Sequence, residues 1–160
     1  MNEYFMKLAL DLAKKSFKQN EIPVGCVLVN DKNEIISCAS NSMVQNHDPT
    51  SHAEIVAIRK ACKKLKTTKL LKFSIYTTLE PCLMCFGAII NSRIKRLVIG
   101  AVDQDNGAPI SNKALLSQLK LNHKIEVETG LFSDECSEIL KNFFKEKRSK
   151  RKLGPNRSMI

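Results

Sequence analysis

The chain has 160 residues, 43% of them hydrophobic, with 26 Lys and Arg against 16 Asp and Glu, a formal net charge of +10. That length suits one domain with its own core, the apolar content excludes wholesale disorder, and no apolar run approaches the ~20 residues that span a bilayer. The charge is uneven: residues 59–72 hold seven basic side chains and no acid, and residues 141–160 hold eight against Glu146 alone. A slightly acidic body with two basic segments fits a polyanionic partner, nucleic acid before membrane, and fits a lysine-rich solvated surface equally well.

Tyr4 to Phe17 reads as an amphipathic helix with Phe5, Leu8, Ala9, Leu12 and Ala13 on one face. Glu3, Lys7, Asp11, Lys14 and Lys15 interrupt the apolar run that a signal peptide needs, so a cytoplasmic protein is expected. Ile22–Pro23–Val24–Gly25 leads into a buried strand, Cys26 to Val29. Asp31–Lys32–Asn33 is a hairpin turn, with the returning strand over Glu34 to Ala39. After a polar loop, Ser40 to Pro49, Thr50 and Ser51 are candidate N-caps, and Ser51 with Glu54 has the spacing of a capping box for a helix reaching Leu65.

A third strand is predicted over Phe73 to Thr78, and Pro81 then opens a helix over Cys82 to Ile90. Arg96 to Ala101 is a fourth strand, Ser111 to Leu119 a helix, and Ile125 to Glu128 a fifth strand. The last helix is predicted over Asp134 to Arg148, with Ile139, Leu140, Phe143 and Phe144 as its apolar face. This alternation argues an α/β sandwich. The basic tail, residues 149–160, contains Gly154–Pro155 and is expected to fray. Of six cysteines, Cys26, Cys38, Cys62 and Cys136 sit singly in apolar surroundings and read as small core residues with reduced thiols.

Cys82 and Cys85 differ. They lie three residues apart at a helix start, so both thiols share one face where thiolates are favoured. His52 also stands at a helix start, in His52–Ala53–Glu54. One imidazole and two thiolates suit zinc, and three protein ligands leave one position open, the mark of a catalytic site. His47 and His123 are isolated. Residues i and i+2 of a regular helix face apart, so His52 and Glu54 converge only if the motif sits at the helix end. Glu54 is then a proton carrier beside the metal and not a ligand, which is the machinery of hydrolytic deamination. A lone C-x-x-C is a weak signal; its pairing with H-A-E is a strong one, and H-x-E…P-C-x-x-C is the established signature of zinc nucleobase deaminases.

At these residues the chain resembles the bacterial tRNA-specific adenosine deaminases of the cytidine deaminase-like superfamily. The likeness runs from about residue 4 to about residue 148. It takes in Ile22–Pro23–Val24–Gly25, Asn41, His47–Asp48–Pro49–Thr50–Ser51–His52–Ala53–Glu54 and Thr78–Leu79–Glu80–Pro81–Cys82–Leu83–Met84–Cys85. It continues through Ser92–Arg93–Ile94, Gly100–Ala101–Val102–Asp103, Asn106–Gly107–Ala108 and Phe143–Phe144. The resemblance implies a three-layer α/β/α sandwich around a five-stranded mixed sheet, residues 1–148 as one zinc deaminase domain, one zinc per subunit, and a homodimer. It implies conversion of adenosine to inosine at the wobble position of an arginine tRNA anticodon. His52, Cys82 and Cys85 would hold zinc, Glu54 would shuttle protons, Asn41 would hydrogen-bond the flipped base, and Ile22 and Pro23 would wall its pocket. Asp103, Phe144, Lys145, Lys147 and Arg148 would lie near the anticodon stem-loop. Departures from the family are Cys26 for a common alanine, Asp105 for a common basic residue, Pro109–Ile110 after Gly107–Ala108, and lysines at 145 and 147 where arginine is usual.

Two other functions use the same motif. A free-base deaminase acting on guanine or cytosine would need neither the basic last helix nor the +10 charge. A zinc-stabilised RNA-binding module would need no carboxylate at Glu54. The 59–72 run reads as solvated surface, with long-range steering of a polyanion as its functional counterpart.

Overall fold

The computed structural model describes residues 1–152. In chain order the elements are α1 (Asn2–Lys18), β1 (Gly25–Val29), β2 (Ile35–Ser40), α2 (Met43–Asn46), α3 (Ala53–Leu65), β3 (Ser74–Leu79), α4 (Leu83–Asn91), β4 (Arg96–Ala101), α5 (Lys113–Ser117), β5 (Glu126–Thr129) and α6 (Ser133–Lys152). The strands form one five-stranded sheet in the order β2-β1-β3-β4-β5. β1 pairs antiparallel with β2 and β3, whereas β3, β4 and β5 run parallel, so the sheet is mixed.

Alternation along the central strands sends side chains into two cores, one on each face of the sheet. Cys26, Leu28, Ile75, Leu97 and Ile99 pack with Ala57, Ile58, Phe86 and Ile89 of α3 and α4. Val27, Val29, Tyr76 and Val98 pack on the opposite face with Phe5, Met6 and Ala9 of α1 and Cys136 of α6. These are the three layers of an α/β/α sandwich. Among the described residues no helix is long and apolar enough to cross a membrane.

α1 lies against the sheet because Gly25 lets it. A Cβ on Gly25 would overlap the carbonyl oxygen of Ala9 and crowd the backbone of Ala13. That close approach rotates the buried stripe of α1 to Phe5, Met6, Ala9, Leu10, Ala13 and Ser16. Leu8 and Leu12, expected on the core face, are only half-buried at its margin.

The other departures are local. The polar loop after β2 holds one short helix, α2. α5 is shorter than the expected 111–119, because Ser111 is drawn out of the helix by Glu80. α6 runs past Arg148 to Lys152. The Lys150–Glu146 ion pair at 3.7 Å and the Ser149 hydroxyl donating to the Lys145 carbonyl support the added turn. The rest of the predicted tail, 153–160, lies outside the described residues. Cys26 and Cys136 are buried as expected and Cys62 partly so, but Cys38 is exposed, its side chain falling on the outer face of the edge strand β2.

Replacing Gly25 by alanine forces α1 off the sheet. Urea unfolding of Gly25→Ala is expected to show a loss of ~1–3 kcal/mol or more, the range for overpacking a tight contact.

Candidate active site

Two helices begin at one place. His52 is the N-cap of α3 and Cys82 the N-cap of α4, both with extended backbone (φ −69°, ψ 153° and φ −66°, ψ 171°). Extended geometry at His52 removes the i, i+2 conflict, because the imidazole leaves the chain before the helix starts while Glu54 lies in its first turn. α4 follows the carboxyl end of β3 directly, so Cys82 emerges at the end of a parallel strand, where α/β sheets bind ligands.

His52 Nδ1 lies 3.4 Å from Cys85 Sγ and 3.7 Å from Cys82 Sγ. All three ligand atoms fall within 4.8 Å of one another. This donor set, one imidazole nitrogen and two sulfurs converging from two helix starts, fits a tetrahedral zinc with one position left open. The Cys85 thiol, by hydrogen-bonding to Cys82, pulls the Cys82 thiol down to about 4, and His52 acts in the same direction. The same contact, joined by burial, holds the proton on Cys85. The hydrogen bond to Cys82 raises His52.

Glu54 is buried, 3% exposed, and burial raises its carboxyl above the usual range. The Thr77 hydroxyl lies 3.2 Å from Glu54 Oε1 and equally 3.2 Å from the Leu79 carbonyl oxygen. One hydroxyl proton serves one of these acceptors at a time, so Thr77 compensates little of the cost of burying the carboxylate. The expected capping box does not form. The Ser51 hydroxyl donates instead to Asp48 Oδ2 at 2.8 Å, and Glu54 turns inward toward Thr77.

A cavity of about 670 Å³ opens over these groups. Its lining includes His52, Glu54 and Cys82 together with Ile22 and Asn41. Asp103 and Phe144 also line it, Phe144 being 42% exposed. Pro23 is buried next to Ile22 and is not on the wall, and Cys85 is sealed beneath it. Of the basic residues of α6, Lys141 reaches the wall. Arg148 is exposed one turn beyond Phe144, at i+4. Lys145 lines a separate cleft with Phe17 and Ile139, and the ammonium of Lys147 sits 5.2 Å from the centre of the Phe143 ring.

Two buried carboxylates beside this cavity escaped the sequence reading. Glu80, 2% exposed, accepts from the backbone N–H groups of Asp103 (3.0 Å), Ile110 (2.8 Å) and Ser111 (2.9 Å) and from the Ser111 hydroxyl (2.6 Å). It ties down the loop that carries Asp103, and Gly107 passes so close to its carboxyl group that a Cβ there would overlap it. Pro109–Ile110 is thereby anchored despite its departure from the family pattern. Glu21, 1% exposed, accepts from the Asn41 side-chain amide and from the Gln45 backbone N–H. An acid set against a proline in an apolar segment, Glu21–Ile22–Pro23 and Leu79–Glu80–Pro81, is the signal that marks both. The 59–72 run lies on the far part of α3 and the turn after it. Lys60 and Lys64 donate to backbone carbonyls of β2 and Lys69 to that of Asn91.

Residues 1–101 match the family described as the cytidine and deoxycytidylate deaminase zinc-binding region. A tRNA-specific adenosine deaminase of Haemophilus influenzae is 45% identical over 152 residues, covering 95% of this chain and 88% of the relative. That of Bacillus subtilis is 40% identical over 153 residues, covering 96% and 94%. A structure solved in work on A-to-I editing by tRNA:A34 deaminases superposes with a TM-score of 0.82 at 42% identity, covering 86% of this chain and 99% of the other. A guanine deaminase of Nitrosomonas europaea shares the fold at a TM-score of 0.74 and 26% identity, covering 88% and 83%. The chain therefore belongs to the tRNA-specific adenosine deaminases, within the zinc-binding cytidine and deoxycytidylate deaminase family.

The segment leading into His52 depends on Asp48. Its carboxylate accepts from the Thr50 hydroxyl and backbone N–H and from the Ser51 hydroxyl, and these bonds lower it from 3.8 to about 2. A carboxylate lowered on folding stabilises the fold above its ordinary value and loses that contribution as pH falls through its folded value. Asp48→Asn is expected to be less stable than the parent chain at pH 5 to 7, with the difference closing as pH falls from about 4 to about 2, as read by chemical denaturation across that range.

Proposed function

We propose that this chain converts adenosine to inosine at the wobble position of a tRNA anticodon, that of an arginine tRNA, in the cytoplasm. The observation that carries the reading is a buried carboxylate, Glu54, lining the same cavity as His52 and Cys82, two of the three converging ligand residues. His52, Cys82 and Cys85 would hold zinc, one per subunit, and the metal would supply a Lewis acid for activating water near neutral pH. Glu54 would take a proton from the attacking water and deliver it to ring nitrogen N1 of adenine as the water oxygen bonds to C6, then help protonate the amine as the C6–N bond breaks, so that adenosine and water become inosine and ammonia. Its raised carboxyl suits it to both halves of that cycle.

The target base must leave its stack to reach the cavity, at little cost in an anticodon loop already partly single-stranded. Asn41 holds the flipped base, with Ile22 against its face and Pro23 backing Ile22. Asp103 and Phe144 flank the mouth, and Lys145, Lys147 and Arg148 meet phosphates of the stem-loop, giving affinity without reading sequence. A free base such as guanine would need none of these basic groups. Rising salt separates the two substrates, since only the polyanion loses affinity steeply.

The chain pairs as a homodimer through its other layer. Leu83 and Met84 of α4 and Leu115, Leu119 and Leu121 around α5 are exposed apolar side chains, and Leu83, Leu119 and Leu121 border one groove beside Gly87. An apolar cluster of this kind on a charged protein marks an association surface. Leu119→Asp is expected to shift sedimentation toward the monomer while leaving far-ultraviolet circular dichroism unchanged.

Purified protein with its metal is expected to form inosine in an anticodon stem-loop with adenine at the wobble position. Glu54→Ala is expected to retain zinc, by metal analysis, and to lose about 100-fold or more in turnover. A rate within about tenfold of the parent would remove Glu54 from proton transfer.

A further inference from the structure

Asn41 is held by three hydrogen bonds. Its backbone N–H donates to the Val24 carbonyl at 3.0 Å, and its own carbonyl accepts from the Ser16 hydroxyl at 2.9 Å. Its side-chain nitrogen donates to Glu21 Oε2 at 3.1 Å, while the other carboxylate oxygen of Glu21 takes the Gln45 backbone N–H at 2.9 Å. A carboxylate only accepts, so Glu21 settles which way the Asn41 amide points: nitrogen toward Glu21, oxygen away from it. Among the described residues no buried side-chain nitrogen or oxygen lacks a partner, and Asn41 Oδ1 has no partner within the protein. Oδ1 is therefore open, and Asn41 stands on the cavity wall.

We infer that Glu21, which lies outside the cavity lining, is a positioning residue for the substrate. It locks the Asn41 carboxamide so that the cavity meets an acceptor, Oδ1, and the one remaining N–H in a fixed order. It also ties the segment leading into Ile22 to α2, since Glu21 precedes Ile22 in the chain and the Gln45 N–H belongs to α2. A nucleobase is thereby required to present a complementary donor and acceptor in one orientation. Burial makes the lock firm: with Glu21 1% exposed, no water competes for either oxygen. Glutamine at 21 can donate as well as accept, so it permits the reversed amide at almost unchanged volume.

This inference rests on the proposed contact between Asn41 and the base, and a double-mutant cycle separates the two. Glu21→Gln is expected to lower kcat/KM on the anticodon stem-loop by about tenfold, mostly through KM. In an Asn41→Ala background the same substitution is expected to change kcat/KM less than about twofold, because its target is gone. An equal loss in both backgrounds, or none in the parent, overturns the positioning role while leaving the deaminase reading intact. If Asn41→Ala keeps full activity, both the base contact and the positioning role fall. A second measurement needs neither a variant that folds well nor a competent substrate. Nuclear magnetic resonance of the Asn41 side-chain amide in the parent protein is expected to show one proton protected from exchange, held by Glu21, and one open to solvent. Two equally exchanging protons overturn the lock.

Discussion

Two helix starts meeting at the carboxyl end of β3 are the constraint on which the site depends. An N-cap residue keeps extended backbone while its neighbours turn, and that lets His52 and Cys82 aim their side chains away from their helices toward each other. Cys85 then comes from the first turn of α4, one turn below Cys82, and closes the triangle. Were either helix to begin one residue earlier, its ligand would rotate by about 100° around the helix axis and the three atoms would no longer converge. The sheet sets both starting points: β3 delivers Pro81–Cys82, and the α3–β2 packing that buries Ala57 beneath the Ser37 hydroxyl fixes α3 along its axis.

Three buried glutamates surround this triangle, and what each is given to bond with separates their roles. Glu80 accepts four hydrogen bonds and Glu21 two, from backbone and side-chain donors. Each secures a segment that lines the cavity, Glu80 the loop of Asp103 and Glu21 the residue Asn41. Glu54 meets the Thr77 hydroxyl, shared with the Leu79 carbonyl, its own backbone N–H and the Cys85 thiol, yet burial outweighs them and raises its carboxyl.

How much of this was legible in the sequence follows from what each residue's spacing encodes. The metal-ligand set, Glu54, the sheet and its five strands rest on short-range patterns, and β4 falls on the expected residues, Arg96 to Ala101. The Ser51–Glu54 spacing failed as a cap because the same three-residue interval serves either a capping box or a serine bonded backward to Asp48, and only the tertiary need for Glu54 in the core decides. Glu21 and Glu80 were missed because a buried acid is written with the same letter as a surface one, and the donors that bury them come from 20 to 31 residues away. Leu8 and Leu12 were misplaced by a contact no helical period contains, the seat of Ala9 on Gly25.

The two proposed partners draw on different layers of the sheet, although the α3 layer also carries the basic 59–72 run. α6, with Lys145, Lys147 and Arg148, belongs to the layer of α1, whereas the exposed leucines of α4 and α5 lie on the layer of α3. A polyanion drawn to one layer and a second copy of the chain drawn to the other do not compete for the same side chains. The cavity is lined by α6, through Leu140, Lys141 and Phe144, and by the Glu21-braced segment, through Ile22 and Asn41. Under the proposed function an RNA loop entering it would meet both, and Asn41, already held by Glu21, would receive the base in one orientation.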